Sequence, residues 1–253
     1  MRTPILTTLL LAAALGGCAG APAPDPGPLT VQVVGTLPHD SAAFTEGLEF
    51  SGDTLYESTG LAGRSTLTAG PAGGPPHTKA TLPSPLFGEG VTVLGPTLWQ
   101  LTWQDGVAIE RDSQTLAELR RVPFQGEGWG LCHQADGRLV MSDGSSRLTF
   151  RDPKTFAVTG SVDVGYDQLN ELECVGGDVY ANVWHTDTIL RIDAASGHVT
   201  ATIDAGQLRA QVNTTDPEAV LNGIAAVPGT DEFLLTGKEW PVTFRVRFVP
   251  KTR

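Results

Sequence analysis

The sequence predicts an all-β fold, a five-bladed β-propeller with four antiparallel strands per blade. Three observations predict it. A tandem repeat of about 41 residues runs along the chain, short alternating apolar segments are separated by turn signals, and 30 glycines and 18 prolines are scattered through all 253 residues.

The repeat is visible in three registers. A small motif opens the first strand of each unit, at Glu46-Gly47-Leu48, Glu89-Gly90-Val91, Trp129-Gly130-Leu131, Asn170-Glu171-Leu172 and Asn222-Gly223-Ile224, with steps of 43, 40, 41 and 52 between the middle residues. A second strand begins at Leu55, Leu98, Leu139, Val179 and Phe233. A third strand runs into a turn at Asp112, Asp152 and Asp193, residues whose side chains accept turn amides. Alternation such as Leu148-Thr149-Phe150 marks strands with one buried face. Four strands in about 40 residues is the length of a propeller blade. The long last step reads as an insertion at residues 207–220. The last unit, residues 222–248, has room for three strands, so residues 30–36 are expected to supply the fourth and close the ring, leaving no open edge.

Outside the repeat, residues 1–17 read as a signal peptide, with Arg2 ahead of an apolar stretch too short to span a bilayer. Leu15-Gly16-Gly17-Cys18 resembles a bacterial lipoprotein cleavage box, in which Cys18 takes the lipid; an ordinary signal peptide with an incidental cysteine is the alternative. Residues 18–29, rich in Ala and Pro, read as a tether, and residues 30–253 as the propeller. The chain is thus expected to be an exported lipoprotein, held to a membrane by its lipid alone and facing the periplasm or cell exterior. A net charge of −11 argues against nucleic acid or an anionic membrane surface as partner. Cys132 and Cys174, one repeat apart in apolar runs, are expected as buried free thiols, with a disulfide as the alternative that an oxidising compartment permits.

In a propeller the first strands line the central channel and start at one mouth, to which the loops after the second strands return. That rule gathers Phe44, Glu46, Phe87, Glu89, Trp129, Asn170 and Asn222 from first strands with Trp103, Trp184 and Lys238 from the ends of second strands. A mostly aromatic pocket with a few placed polar groups suits a small molecule or a peptide end. The histidines His39, His77, His133, His185 and His198 lack ligand spacing, so no catalytic metal is expected; a structural calcium ion in the channel stays open. His185, beside Trp184, is the histidine nearest the mouth.

The segments Phe44-Thr45-Glu46-Gly47-Leu48, Phe87-Gly88-Glu89-Gly90, Leu101-Thr102-Trp103, Gly128-Trp129-Gly130-Leu131, Leu169-Asn170-Glu171-Leu172, Ala181-Asn182-Val183-Trp184, Leu221-Asn222-Gly223-Ile224 and Thr236-Gly237-Lys238-Glu239-Trp240 resemble the plant and bacterial type of glutaminyl-peptide cyclotransferase. The resemblance runs from residue 31 to 248. It implies a five-bladed propeller that converts the N-terminal glutamine of peptides or proteins to pyroglutamate with release of ammonia, without a cofactor. A closed ring needs no partner subunit, so a monomer is expected.

By the same resemblance the site residues are Phe44, Glu46, Phe87, Glu89, Trp103, Trp129, Asn170, Trp184 and Lys238. Glu89 is expected to shuttle the proton, with Lys238 and Asn170 steadying the oxyanion and the substrate amide. Trp103, Trp129 and Trp184 would enclose the glutamine, their indole N–H groups open to donate. One departure concerns Glu46, where a plant member of the family has glutamine; a second acid could bind the substrate's ammonium or disturb Glu89. The rival readings are a non-catalytic peptide-binding propeller and a glycosidase using Glu46 and Glu89 as a carboxylate pair.

Overall fold

The computed structural model describes residues 27–212 and 214–252, so Cys18, the signal segment and most of the tether lie outside the described residues. The described chain opens with β1 (Leu29–Pro38) and then runs through antiparallel hairpins. One sheet holds β2 (Thr45–Ser51), β3 (Thr54–Thr59), β4 (Thr66–Gly70) and β5 (Thr78–Thr81) in that order. A second holds β6 (Gly88–Leu94), β7 (Thr97–Thr102), β8 (Val107–Asp112) and β9 (Glu118–Pro123). A third holds β10 (Leu131–His133), β11 (Leu139–Met141), β12 (Arg147–Arg151) and β13 (Val158–Asp163). The fourth sheet has eight strands, in the order β14 (Leu169–Val175), β15 (Asp178–Val183), β16 (Thr188–Asp193), β17 (Val199–Asp204), β1, β20 (Val242–Pro250), β19 (Glu232–Gly237) and β18 (Leu221–Ala226). Residues 30–36 pair with the last strand as expected: β1 runs antiparallel along β20 from Leu29↔Pro250 to Pro38↔Val242. It also touches β17 in parallel, through Leu29↔Ile203 and Thr30↔Asp204, which joins the two halves of this sheet.

Local chemistry sets the hairpins. Asp112 Oδ1 accepts from the Thr115 backbone N–H at 2.8 Å and Asp152 Oδ1 from that of Thr155 at 2.7 Å, while Asp193 Oδ1 accepts from Ser196 N–H at 2.8 Å. Each side chain thereby takes over a donor that the reversing backbone leaves unpaired. Apolar faces pack between successive sheets, for example Trp99, Leu101, Leu131 and Phe156 in one cluster and Cys132, Leu148, Leu172 and Leu190 in the next.

The first strands β2, β6, β10, β14 and β18 pack side by side in cyclic order, the last against the first, which makes the fold propeller-like. Glycine in the recurring motif permits this approach. A Cβ on Gly90 would stand 2.5 Å from the Leu131 nitrogen, and one on Gly130 would stand 2.1 Å from the Asn170 carbonyl oxygen. No side chain fits there. In the fourth unit Glu171 holds the corresponding position, and its carboxylate accepts from Leu48 N–H at 3.2 Å and Ile224 N–H at 2.8 Å, tying β14 to both β2 and β18.

One expectation is corrected. Cys132 and Cys174 are not free thiols but a disulfide, with Cα atoms 5.5 Å apart. The one-repeat spacing sets them on neighbouring strands β10 and β14, within the range that a bridge spans without backbone movement. No helix among the described residues is long and apolar enough to cross a membrane.

Candidate active site

Nine of the ten residues expected at the mouth line one cavity of about 290 Å³, together with Glu218; the tenth, Asn222, does not line it and instead bonds Glu46. Phe44 and Glu46 come from the start of β2, Phe87 and Glu89 from the start of β6, and Asn170 from β14. Trp103 and Trp184 follow β7 and β15, Lys238 follows β19, and Trp129 precedes β10. Short backbone bonds hold these segments together: Trp103 N–H donates to the Phe87 carbonyl at 3.1 Å, Gly128 N–H to the Trp103 carbonyl at 2.9 Å, and Gly90 N–H to the Trp129 carbonyl at 2.8 Å.

The walls are aromatic. Phe44 meets Phe87 edge-on at 6.2 Å, Phe87 meets Trp103 at 5.5 Å, and Trp129 meets Trp184 edge-on at 5.5 Å. His185 lies tilted beside Trp184 at 4.1 Å with Nε2 3.8 Å from Glu218, and it does not line the cavity.

The charged groups divide into an engaged pair and an unengaged acid. Lys238 Nζ donates to Glu46 Oε1 at 2.7 Å and lies 4.6 Å from the centre of the Phe44 ring. Asn222 Nδ2 donates to Glu46 Oε2 at 3.0 Å. Both oxygens of Glu46 are thus engaged by the protein. Burial pushes its pKa up to about 7, against the pull of Lys238. Glu89, 5% exposed, leaves Oε2 without a hydrogen-bond partner. Burial first, then the nearby charge of Glu46, holds its carboxyl well above the usual range, with Lys238 opposing and Glu127 adding. Two more buried polar atoms of the cavity lack protein partners, Asn170 Oδ1 and Trp184 Nε1. A second cavity of about 330 Å³, lined by Arg64, Lys79 and Glu57 among others, differs in this respect: none of its lining side chains has a buried polar atom unpartnered.

The expectation of three available indole donors is corrected. Trp103 Nε1 and Trp129 Nε1 both donate to Glu127 Oε2, at 2.8 and 2.9 Å, so Trp184 alone of the three keeps an unpartnered N–H. Glu127 escaped sequence reasoning because it sits in a loop between strands, where the repeat register says nothing about side-chain direction. Glu218 escaped it because the insertion has no counterpart in the other units. Among the described residues, no three His, Cys, Asp or Glu side chains are arranged to hold a metal ion.

The comparisons with known proteins agree with this geometry. The family model described as glutamine cyclotransferase matches residues 8–248. The chain is 36% identical over 233 residues to an Arabidopsis thaliana protein named glutaminyl-peptide cyclotransferase, covering 86% of this chain and 71% of that protein. The crystal structure of Myxococcus xanthus glutaminyl cyclase superposes with a TM-score of 0.83 at 39% identity, over 88% of this chain and 98% of that one. Kuenenia stuttgartiensis hydrazine synthase, at 15% identity and a TM-score of 0.50 over 79% of this chain and 57% of that one, shares the fold alone. With the match spanning nearly every strand and every residue of the cavity, the chain belongs to the glutamine cyclotransferase family.

Proposed function

We propose that this protein cyclises the N-terminal glutamine of peptides or proteins to pyroglutamate and releases ammonia, an acyl transfer from the side-chain amide to the substrate's own α-amine. The observation that carries the reading is the set of unpartnered buried atoms around an aromatic cavity: Glu89 Oε2, Asn170 Oδ1 and Trp184 Nε1. They complement an N-terminal glutamine, which brings an amine donor, an amide N–H donor and an amide oxygen acceptor.

The reaction needs the folded-back conformer of the glutamine, and holding such a conformer supplies several kcal/mol of orientation. The α-amine, with a pKa near 7.7–8.0, is largely protonated at neutral pH and needs a base. The ammonium first gives one proton to solvent, and Glu89 takes a second from the nitrogen as its freed lone pair attacks the side-chain amide carbon. As the bond from that carbon to the amide nitrogen breaks, Glu89 returns a proton to the departing nitrogen, which leaves as ammonia. A carboxyl raised by burial is matched to this exchange, and proton transfer of this kind contributes about 10²–10⁴-fold. Trp184 Nε1 donates to the amide oxygen as it gains charge, helped by an ammonium hydrogen of Lys238 not used by Glu46. Asn170 Oδ1 accepts from the amide nitrogen. In this assignment Asn170 orients the leaving group and Trp184 joins Lys238 at the oxyanion. The step is drawn without a metal.

Around that core, the cyclic packing of first strands supports counting the eight-stranded sheet as two units, giving five blades of four strands over residues 30–253, and a monomer. The lipoprotein reading, with cleavage before Cys18, lipid on its thiol and an exported location, gains support from the Cys132–Cys174 bridge, since disulfides persist in oxidising compartments. Mass spectrometry of the mature N-terminus tests it. The function itself is tested by ammonia release from a glutamine-initiated peptide: turnover supports the cyclase, and peptide binding without ammonia would leave a passive binding protein.

A further inference from the structure

We propose that Glu127 is a positioning residue, a clamp that joins the two arms of the aromatic wall and sets the width of the glutamine pocket; the proposal rests on the cyclase reading above. One carboxylate oxygen, Oε2, accepts from Trp103 Nε1 at 2.8 Å and from Trp129 Nε1 at 2.9 Å. The other, Oε1, accepts from Gln104 Nε2 at 2.9 Å, which fixes the plane of the carboxylate. Trp103 and Trp129 belong to different sheets, one following β7 and the other preceding β10.

Ring contacts run from Phe44 through Phe87 to Trp103 on one side and from Trp129 to Trp184 on the other, and Glu127 is the joint between the arms. The joint matters most for Trp103, which is 36% exposed and so has little packing to hold its ring. Hydrogen bonds to an ionised carboxylate are about twice as strong as neutral ones. Glu127 is kept in that ionised form: partial burial acts to raise its pKa, but the bonds from Trp129, Gln104 and Trp103 outweigh it and leave the value below the ordinary one. The same oxygen therefore holds two indole nitrogens at a set separation, and with them two faces of the cavity. Glu127 itself touches no reacting atom in this arrangement.

The test compares wild type with Glu127→Ala, Glu127→Gln and Glu127→Asp, using ammonia release from a glutamine-initiated peptide and tryptophan emission without substrate. Removing the clamp in Glu127→Ala lowers kcat/KM about 10- to 100-fold, the size expected when a substrate is misplaced by about 1 Å. Most of that loss falls on KM, and the emission shifts to the red as Trp103 loosens. Glu127→Gln keeps one oxygen acceptor at the same reach but not the charge, and restores part of both readouts. If Glu127→Ala does not fold, Glu127→Asp keeps the charge but withdraws it by one methylene, and it shows the same loss. The clamp is overturned if Glu127→Ala or Glu127→Asp keeps wild-type kcat/KM and emission, or if Glu127→Gln is as impaired as they are. A wild-type protein that releases no ammonia refutes the cyclase reading instead, and the emission spectra still decide the clamp.

Discussion

Glu46 and Glu49 stand on the same strand, β2, and Glu89 on the neighbouring β6, yet the carboxylates at the mouth and those deeper in the ring have different surroundings. In the deeper set, Glu49 accepts from Val93 N–H at 2.9 Å, Glu173 from Ala226 N–H at 2.8 Å, and Glu171 from both Leu48 and Ile224. Each closes backbone donors of another first strand. At the mouth, Glu46 is paired with Lys238, and Glu89 keeps an oxygen that nothing in the protein engages. Burial raises all of them: Glu49 to about 8, Glu46 to about 7, and Glu89, Glu171 and Glu173 well above the ordinary value. A raised pKa alone therefore does not separate chemistry from architecture. The inventory of partners does.

The largest effect that would break this comparison is at Glu89. Glu89→Gln is expected to lower kcat about 10²–10⁴-fold while leaving the melting temperature close to wild type, measured by ammonia release and thermal unfolding. Retained turnover would move the proton transfer to another group. Lys238→Met should come next, since it strands a buried carboxylate, a change that costs about 3–5 kcal/mol. Denaturant titration checks it; Lys238 holds the Glu46 pKa down to about 7, so without it the value lies higher and the deficit should shrink as pH falls toward 7. An unchanged unfolding midpoint would mean that the pair contributes nothing.

Glu171→Leu should invert the pattern of Glu89. It leaves two buried N–H groups without an acceptor, at about 1–3 kcal/mol each, while turnover per folded molecule is kept. Loss of turnover at full stability would put Glu171 in the chemistry. The smallest effect is on pH. The folded pKa values of Glu46 and Glu49, about 7 and about 8, lie above the ordinary 4.5, so the folded protein holds protons that the unfolded chain has released. Their contribution to stability is full below pH 4.5 and is lost as pH rises through 7 to 8. Melting temperatures should accordingly fall between about pH 5.5 and 8.5, and Glu49→Gln should flatten that slope. A flat wild-type profile would remove the buried-proton account.

Much of the site was legible because a repeat carries position as well as fold. Once Gly47, Gly90, Gly130, Glu171 and Gly223 are recognised as equivalent, the residues beside them share one end of the ring, and so do Trp103, Trp184 and Lys238 at the ends of second strands. Of the residues gathered at the mouth on that basis, all but Asn222 line the same cavity. What escaped was the pairing of side chains. The registers put Lys238 and Glu46 near each other without showing that they bond, and the spacing of Cys132 and Cys174 was compatible with free thiols or a bridge.

The order of strands, the glycines at the tight ring and the gathering of aromatics at one mouth were determined by the amino-acid sequence alone, because period, alternation and turn chemistry are local properties that repeat along a chain. Which carboxylate stays unengaged, which indoles Glu127 binds and what the 207–220 insertion brings to the rim were decided only by the tertiary structure. Those outcomes depend on a few ångströms between side chains far apart in sequence, where a hydrogen bond is either made or left open.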